Sequence, residues 1–255
     1  MQRSAVRPSP VFFGILALAV VGGLLAAFSN PETTRDPMLI AGVFILVVAG
    51  WAVSLTLHEF GHAFVAYKGG DTSVASKGYL NLDVRHYTDP VLSLVLPLIL
   101  LAIGGIPLPG GAVWINRWAL RSRAVSTWVS LAGPLSNLLF GVLLTLAVAY
   151  IPMTVGLAIG LSYLALLQVF AFVLNILPVP GLDGFGAIEP YLSPQTREFA
   201  AKVRPWAPLA LFALLFAVPT VGGAFQDLSS FVYEAIGGSR DAAYLGQITF
   251  MFWRH

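Results

Sequence analysis

The chain contains no cysteine and little charge. With no Cys among its 255 residues, disulfides and thiolate ligands are excluded, so any metal must be held by His and carboxylates. Charged residues make up only 10% of the chain, against roughly 25% in an ordinary soluble domain. Together with 57% hydrophobic residues and a mean hydropathy of +0.82, that scarcity assigns the chain to the lipid bilayer. The 14 Lys and Arg residues are scattered among loops and form no basic stripe interleaved with aromatics, so nucleic-acid binding is not expected. There is no internal repeat, and no polar connection reaches the roughly 50 residues an independent soluble domain needs.

What the chain does have is long apolar runs. Those from Val11 to Phe28, Met38 to Leu57, Ala124 to Pro152, Thr154 to Leu182 and Pro205 to Gln226 carry no Lys, Arg, Asp or Glu, and each approaches or exceeds the roughly 20 residues of a spanning helix. The first follows Arg3 and Arg7 and exceeds the usual signal-peptide core of about 7 to 15 residues, so it reads as a span. A sixth run, Val91 to Val113, is broken by Pro97 and a Gly/Pro-rich stretch from Gly104 to Gly111, and is expected to be re-entrant.

The fold class expected is an all-α polytopic membrane protein of about five to six transmembrane helices with a re-entrant segment and a small β element. It is read as one membrane-embedded domain over residues 1–255, with a core at about 38–192, accessory helices at 11–28 and 205–222, and an amphipathic tail at 223–255. The β element rests on Gly78 to Arg85, which alternates apolar and polar residues; an amphipathic interfacial loop is the alternative reading. Trp114 and Trp118 beside Arg117, Arg121 and Arg123 have the composition of a membrane-surface anchor. In the tail, Phe225, Leu228, Phe231, Val232 and Ile236 have helical spacing and suggest a helix lying on the membrane.

The residues that carry chemistry begin with His58-Glu59-Phe60-Gly61-His62, an H-E-x-x-H motif. On a helix, positions i and i+4 share a face, so both imidazoles can approach one metal while Glu59 stands ready to accept a proton from water. The motif follows twenty residues without charge, and ionisable groups inside a membrane are functional candidates by default. A catalytic zinc takes three protein ligands and leaves a fourth position open. Candidates for the third ligand are His86, His255 and the acidic residues. Asp183 ends a long apolar helix after Pro178 and Pro180, where backbone freed from the helix must be buried in protein or line a cavity. Taken alone, Asp183-Gly184 could equally be a surface turn.

Three motifs in order, H-E-F-G-H at 58–62, G-P-L-S-N at 133–137 and N-x-x-P-x-P-x-x-D-G at 175–184, resemble the site-2 protease family of intramembrane zinc metalloproteases. The resemblance covers Met38 to Leu192 and is closest to compact members without PDZ or CBS modules. It implies one Zn²⁺ per chain held by His58, His62 and Asp183, with Glu59 as acid/base and Asn175 lining the active site. It also implies regulated intramembrane proteolysis, with peptide bonds cleaved in or near the transmembrane segment of a membrane protein substrate. Gly133, Pro134 and Asn137 would belong to the neighbouring core helix, for packing or for substrate contact. The chain departs from some members at Gly184-Phe185-Gly186-Ala187, where a basic residue often follows the Asp. His86 is then structural or gating.

A transporter using the same His and Asp side chains as a relay is the rival reading, although it leaves Glu59 without a role. The positive-inside bias, with the requirement that the ligands meet, gives a multi-pass cell-membrane topology with the N-terminus and the active-site half cytosolic. Eleven of the 14 Lys and Arg residues then lie inside, leaving Arg35, Arg240 and Arg254 outside.

Overall fold

The computed structural model describes residues 6–29, 36–87 and 113–254. The expected re-entrant segment from Val91 onward lies outside the described residues, as does His255. Described α-helices are numbered in chain order.

Helix α1 (Pro10–Phe28) starts at Ser9, whose hydroxyl accepts from Phe12 N at 3.1 Å, an N-cap followed by proline at the first helical position. Helix α2 (Pro37–Gly69) begins at Asp36, which accepts from Leu39 N at 2.7 Å. The two helices are in backbone contact: a Cβ on Gly22 would stand 2.3 Å from Leu46 N, and one on Gly42 2.3 Å from Ala26 N. Small residues allow such an approach where lipid provides no hydrophobic drive for association. Helix α2 has 33 residues, about 50 Å at 1.5 Å per residue, well beyond a hydrocarbon core of about 30 Å.

The chain then turns through α3 (Ser73–Ser76) and a 3₁₀ turn at Val84–His86. No strand forms over Gly78 to Arg85, nor elsewhere among the described residues. Tyr79, Leu80, Leu82 and Val84 are all buried, so the alternation does not sort residues onto two faces. Gly78 and Leu82 have positive φ, and Asp83 accepts from its neighbour Arg85 through both backbone and side chain. That local turn competes with any ladder, and the Arg85 hydrogen bonds hold the Asp83 carboxyl below its usual range. The Leu80 and Asn81 carbonyls instead accept from Arg7 N (3.3 Å) and Ser9 N (2.8 Å) of the N-terminal segment.

Helices α4 (Arg123–Tyr150) and α5 (Val155–Asn175) complete the central bundle. Four helices, α1, α2, α4 and α5, are long and apolar enough to cross a membrane. In their most apolar windows, α2 and α5 are 67% and 72% buried, whereas α1 and α4 are 22% and 28% buried; the first pair therefore forms the core and the second turns towards lipid. After α5 come α6 (Asp183–Ile188) and α7 (Pro194–Val203), and α7 meets α8 (Ala207–Ala217) at 61°. That bent pair would supply a fifth span.

The stretch 205–222, read from sequence as one accessory helix, divides at Pro219 into α8 and α9 (Pro219–Ala235), because proline lacks the N–H a continuing helix requires. The tail does not stand apart. Helix α9 runs antiparallel to α5, with Phe225 against Phe170 (5.7 Å between ring centroids) and Tyr233 Oη donating to Ser162 O at 3.1 Å. Helix α10 (Arg240–Phe250) fits Gly246 against Ile159 O and stacks Phe250 on Phe44 of α2. Tyr233, Ala243 and Phe250 are buried in the same cluster as Val43, Tyr163 and Leu167.

Candidate metal centre

His58 and His62 lie near the C-terminal end of α2, one turn apart on the face turned to α4. Their Nε2 atoms are 3.1 Å apart. Asp183 reaches them from the far side, its Oδ2 lying 3.2 Å from His58 Nε2 and 3.4 Å from His62 Nε2. Prolines 178 and 180 end the helical path after α5, and Gly181 (φ +104) turns the chain back. Gly184 lets α6 close onto the end of α5, because a Cβ there would stand 2.0 Å from Ile176 O. The surface-turn alternative for Asp183 is thereby set aside: its carboxylate points into the protein at two imidazoles.

The hydrogen bonds behind the imidazoles determine their tautomers. His62 Nδ1 is 2.6 Å from Val129 O; a carbonyl only accepts, so Nδ1 carries the proton and Nε2 of the neutral ring is a free lone pair. His58 Nδ1 is 2.6 Å from Asn137 Oδ1. The Asn137 amide nitrogen donates to Ser54 Oγ and Gln168 Oε1, both at 2.9 Å, which orients the amide with its oxygen towards His58. Both Nε2 lone pairs therefore face Asp183. Second partners of this kind fix the orientation of metal-ligating histidines.

Gly133 supplies the space. A Cβ at that position would lie 2.3 Å from His62 Nε2 and 2.5 Å from His58 Nε2, so any side chain there would collide with both rings. Glycine at this position lets the α4 backbone lie directly against the two rings. Donor set and converging lone pairs both fit a zinc ion held by two His and one carboxylate.

A cavity of about 440 Å³ lies over the cluster and is lined by Glu59, Ser126 and Asn175 as well as His58, His62 and Asp183. Glu59 is 3% exposed, and its Oε2 has no hydrogen-bond partner among the described residues; the backbone of Val113 approaches the carboxylate. Asn175 donates one amide hydrogen to Ala171 O at 3.0 Å. His86 stays away from the cluster, its Nδ1 lying 3.7 Å from Asp83.

Sequence reasoning missed Ser54 and Gln168. Ser54 is one turn before His58, and Gln168 is an amide in an otherwise apolar helix. Counting only formal charges in the apolar runs concealed both, although any buried polar side chain in a membrane helix asks for a partner.

A multi-pass helical protein with a buried His₂-carboxylate cluster and a glutamate beside it defines the class of membrane-embedded metalloproteases. Comparison with known proteins makes the assignment specific. The chain is 46% identical over 254 residues to "Putative zinc metalloprotease Rip2" of Mycobacterium tuberculosis, covering 99% of this chain and 96% of that protein. It is 44% identical to the Mycolicibacterium smegmatis protein of the same name, covering 98% and 96%. To "Putative zinc metalloprotease YwhC" of Bacillus subtilis it is 34% identical over 177 residues, covering 66% and 78%. No family model matches, and no solved structure matches. The chain belongs to the site-2 protease family of zinc metalloproteases.

Proposed function

We propose that the protein is an intramembrane zinc endopeptidase that cleaves membrane protein substrates in or near their transmembrane segments. The observation that carries this reading is the convergence of His58 Nε2, His62 Nε2 and Asp183 Oδ2, with Glu59 lining the same cavity.

One Zn²⁺ per chain would be held by His58, His62 and Asp183. When bound, it supplies Lewis acidity, lowering the pKa of water to about 7 and polarising the scissile carbonyl. Glu59 accepts a proton from the attacking water as oxygen adds to the carbonyl carbon, then delivers it to the amine nitrogen as the C–N bond breaks. Burial keeps the carboxylate from being solvated away from this task. Asn175, at the cavity wall with a second amide hydrogen to offer, hydrogen-bonds the carbonyl oxygen as its charge grows. Asn137 and Val129 O hold the two imidazoles in the ligand tautomer.

The topology with Arg3 and Arg7 in the cytosol places α2 and α5 running inward, so the catalytic cavity opens on the cytosolic half. Cysteines introduced at Lys77 and Arg121 should then be shielded from an impermeant reagent added outside; labelling of Arg121 from outside overturns the orientation.

The deciding experiment measures zinc content and cleavage of a panel of single-span membrane proteins by the purified enzyme. Wild type should contain one zinc and cleave at least one substrate. His58→Ala and His62→Ala should lose the metal, and Asp183→Ala should bind it far more weakly. Full zinc occupancy in Asp183→Ala would move the third ligand elsewhere.

A further inference from the structure

Beside the catalytic cavity lies a second one, of about 500 Å³, whose walls include Arg117, Arg123, Arg197 and Arg204. Glu189 is the carboxylate among its lining residues. It accepts from Arg117 Nη1 at 3.1 Å and also pairs with Arg204. Arginine remains charged at any accessible pH, so the cavity keeps a surplus of three positive charges. Arg123 and Arg197 take part in no ion pair among the described residues. Arg123 is moreover the first residue of α4, at the positive end of the helix dipole, where a cation is disfavoured and an anion welcome. Such a concentration of like charge opposes folding, and a bound anion would offset it.

The two cavities share walls: Arg117, Leu120, Ser126 and Arg204 line both. A polypeptide with its scissile bond over the metal ligands can therefore place residues a few positions away among the arginines. We infer that the arginine cavity is a substrate subsite for acidic side chains, so that the enzyme selects chains bearing Asp or Glu a few residues from the cleaved bond. Guanidinium forks match carboxylates bidentately, and a peptide is favoured over an anionic lipid headgroup because the cavity shares walls with the catalytic one. This inference rests on the protease reading given above and names its substrate class.

The test uses the full-length zinc-loaded protein in phosphatidylcholine vesicles and a matched set of single-span substrates. These keep the cleavage site and carry Asp/Glu, Asn/Gln or Lys in the flanking positions. The ratio of kcat/KM for acidic over neutral substrate should be about fivefold to tenfold and should shrink with salt. In Arg123→Gln/Arg197→Gln it should fall to about twofold or less, and Arg123→Glu/Arg197→Glu should favour the Lys substrate, a reversal that misfolding cannot produce. No acidic preference in wild type, or one that survives in both double variants, overturns the inference. A rate that follows added phosphatidylglycerol whatever the substrate's charge makes a headgroup the occupant and overturns it as well. If no substrate is cleaved, the protease reading fails separately. Salt-sensitive binding of the acidic substrate to Glu59→Gln, weakened in Arg123→Gln/Arg197→Gln, then still supports the subsite, and equal binding overturns it.

Discussion

The floor and the mouth of the catalytic region are built differently. At the floor, His58, Asn137, Ser54 and Gln168 come from three helices, are all buried, and are joined by short hydrogen bonds. At the mouth, the Arg117 and Arg204 side chains are 48% and 45% exposed while sharing Glu189, and Trp118 is 98% exposed. Removing one partner at the floor leaves a buried group unpaired, at a cost of about 1–3 kcal/mol. Removing one at the mouth exchanges a solvated pair worth about 0–1 kcal/mol for water. The proposed chemistry therefore lies where substitution is expensive, and the proposed recognition where it is cheap to change.

The largest expected effect lies at the floor. Glu59→Gln should keep zinc and lower turnover by about 10³-fold or more, since the amide preserves shape but cannot accept the proton. Near-normal turnover would falsify the proton-transfer role. Gly133→Ala should abolish zinc binding by setting a methyl group against both Nε2 atoms, a loss read directly by metal analysis of the folded protein. Retention of one zinc would mean that α4 can shift away from α2 and that the floor is soft.

A smaller loss tests the support behind the ligands. Gln168→Leu removes one acceptor of Asn137 and should weaken zinc affinity by about 10-fold to 100-fold, the usual range for partners one step behind a metal ligand. Smallest should be Glu189→Gln at the mouth, which frees Arg117 and Arg204 and should change KM by about threefold or less without altering zinc content. A Glu189→Gln defect as severe as that of Gln168→Leu would break the contrast between floor and mouth.

Much of this was legible in the chain because it depends on local geometry. The i, i+4 spacing of His58 and His62 puts them on one helix face wherever the helix goes, and the prolines after Asn175 mark where α5 must stop. The alternation at Gly78 to Arg85 misled for the same reason: period 2 describes a strand only if the segment has one wet face, and here Tyr79, Leu80, Leu82 and Val84 are all covered. The tail's helical spacing from Phe225 to Ile236 identified α9 but gave no sign of α10, whose Phe250 packs on Phe44. Gly133 was expected to serve packing or substrate contact, while its close approach to the two rings emerges only when α4 lies against α2.

Composition and spacing by themselves thus determined the membrane class and the His-Glu-His helix, and family resemblance supplied the proposed ligand set. Only the tertiary structure decided why Gly133 must be glycine, how Asn137 sets the His58 tautomer, and that arginines from distant segments gather beside the catalytic cavity. His58 and Asn137 are 79 residues apart, and Ser54 and Gln168 are 114 apart. Periodicity reports the geometry of one helix, whereas partners so far apart meet only through the packing of several.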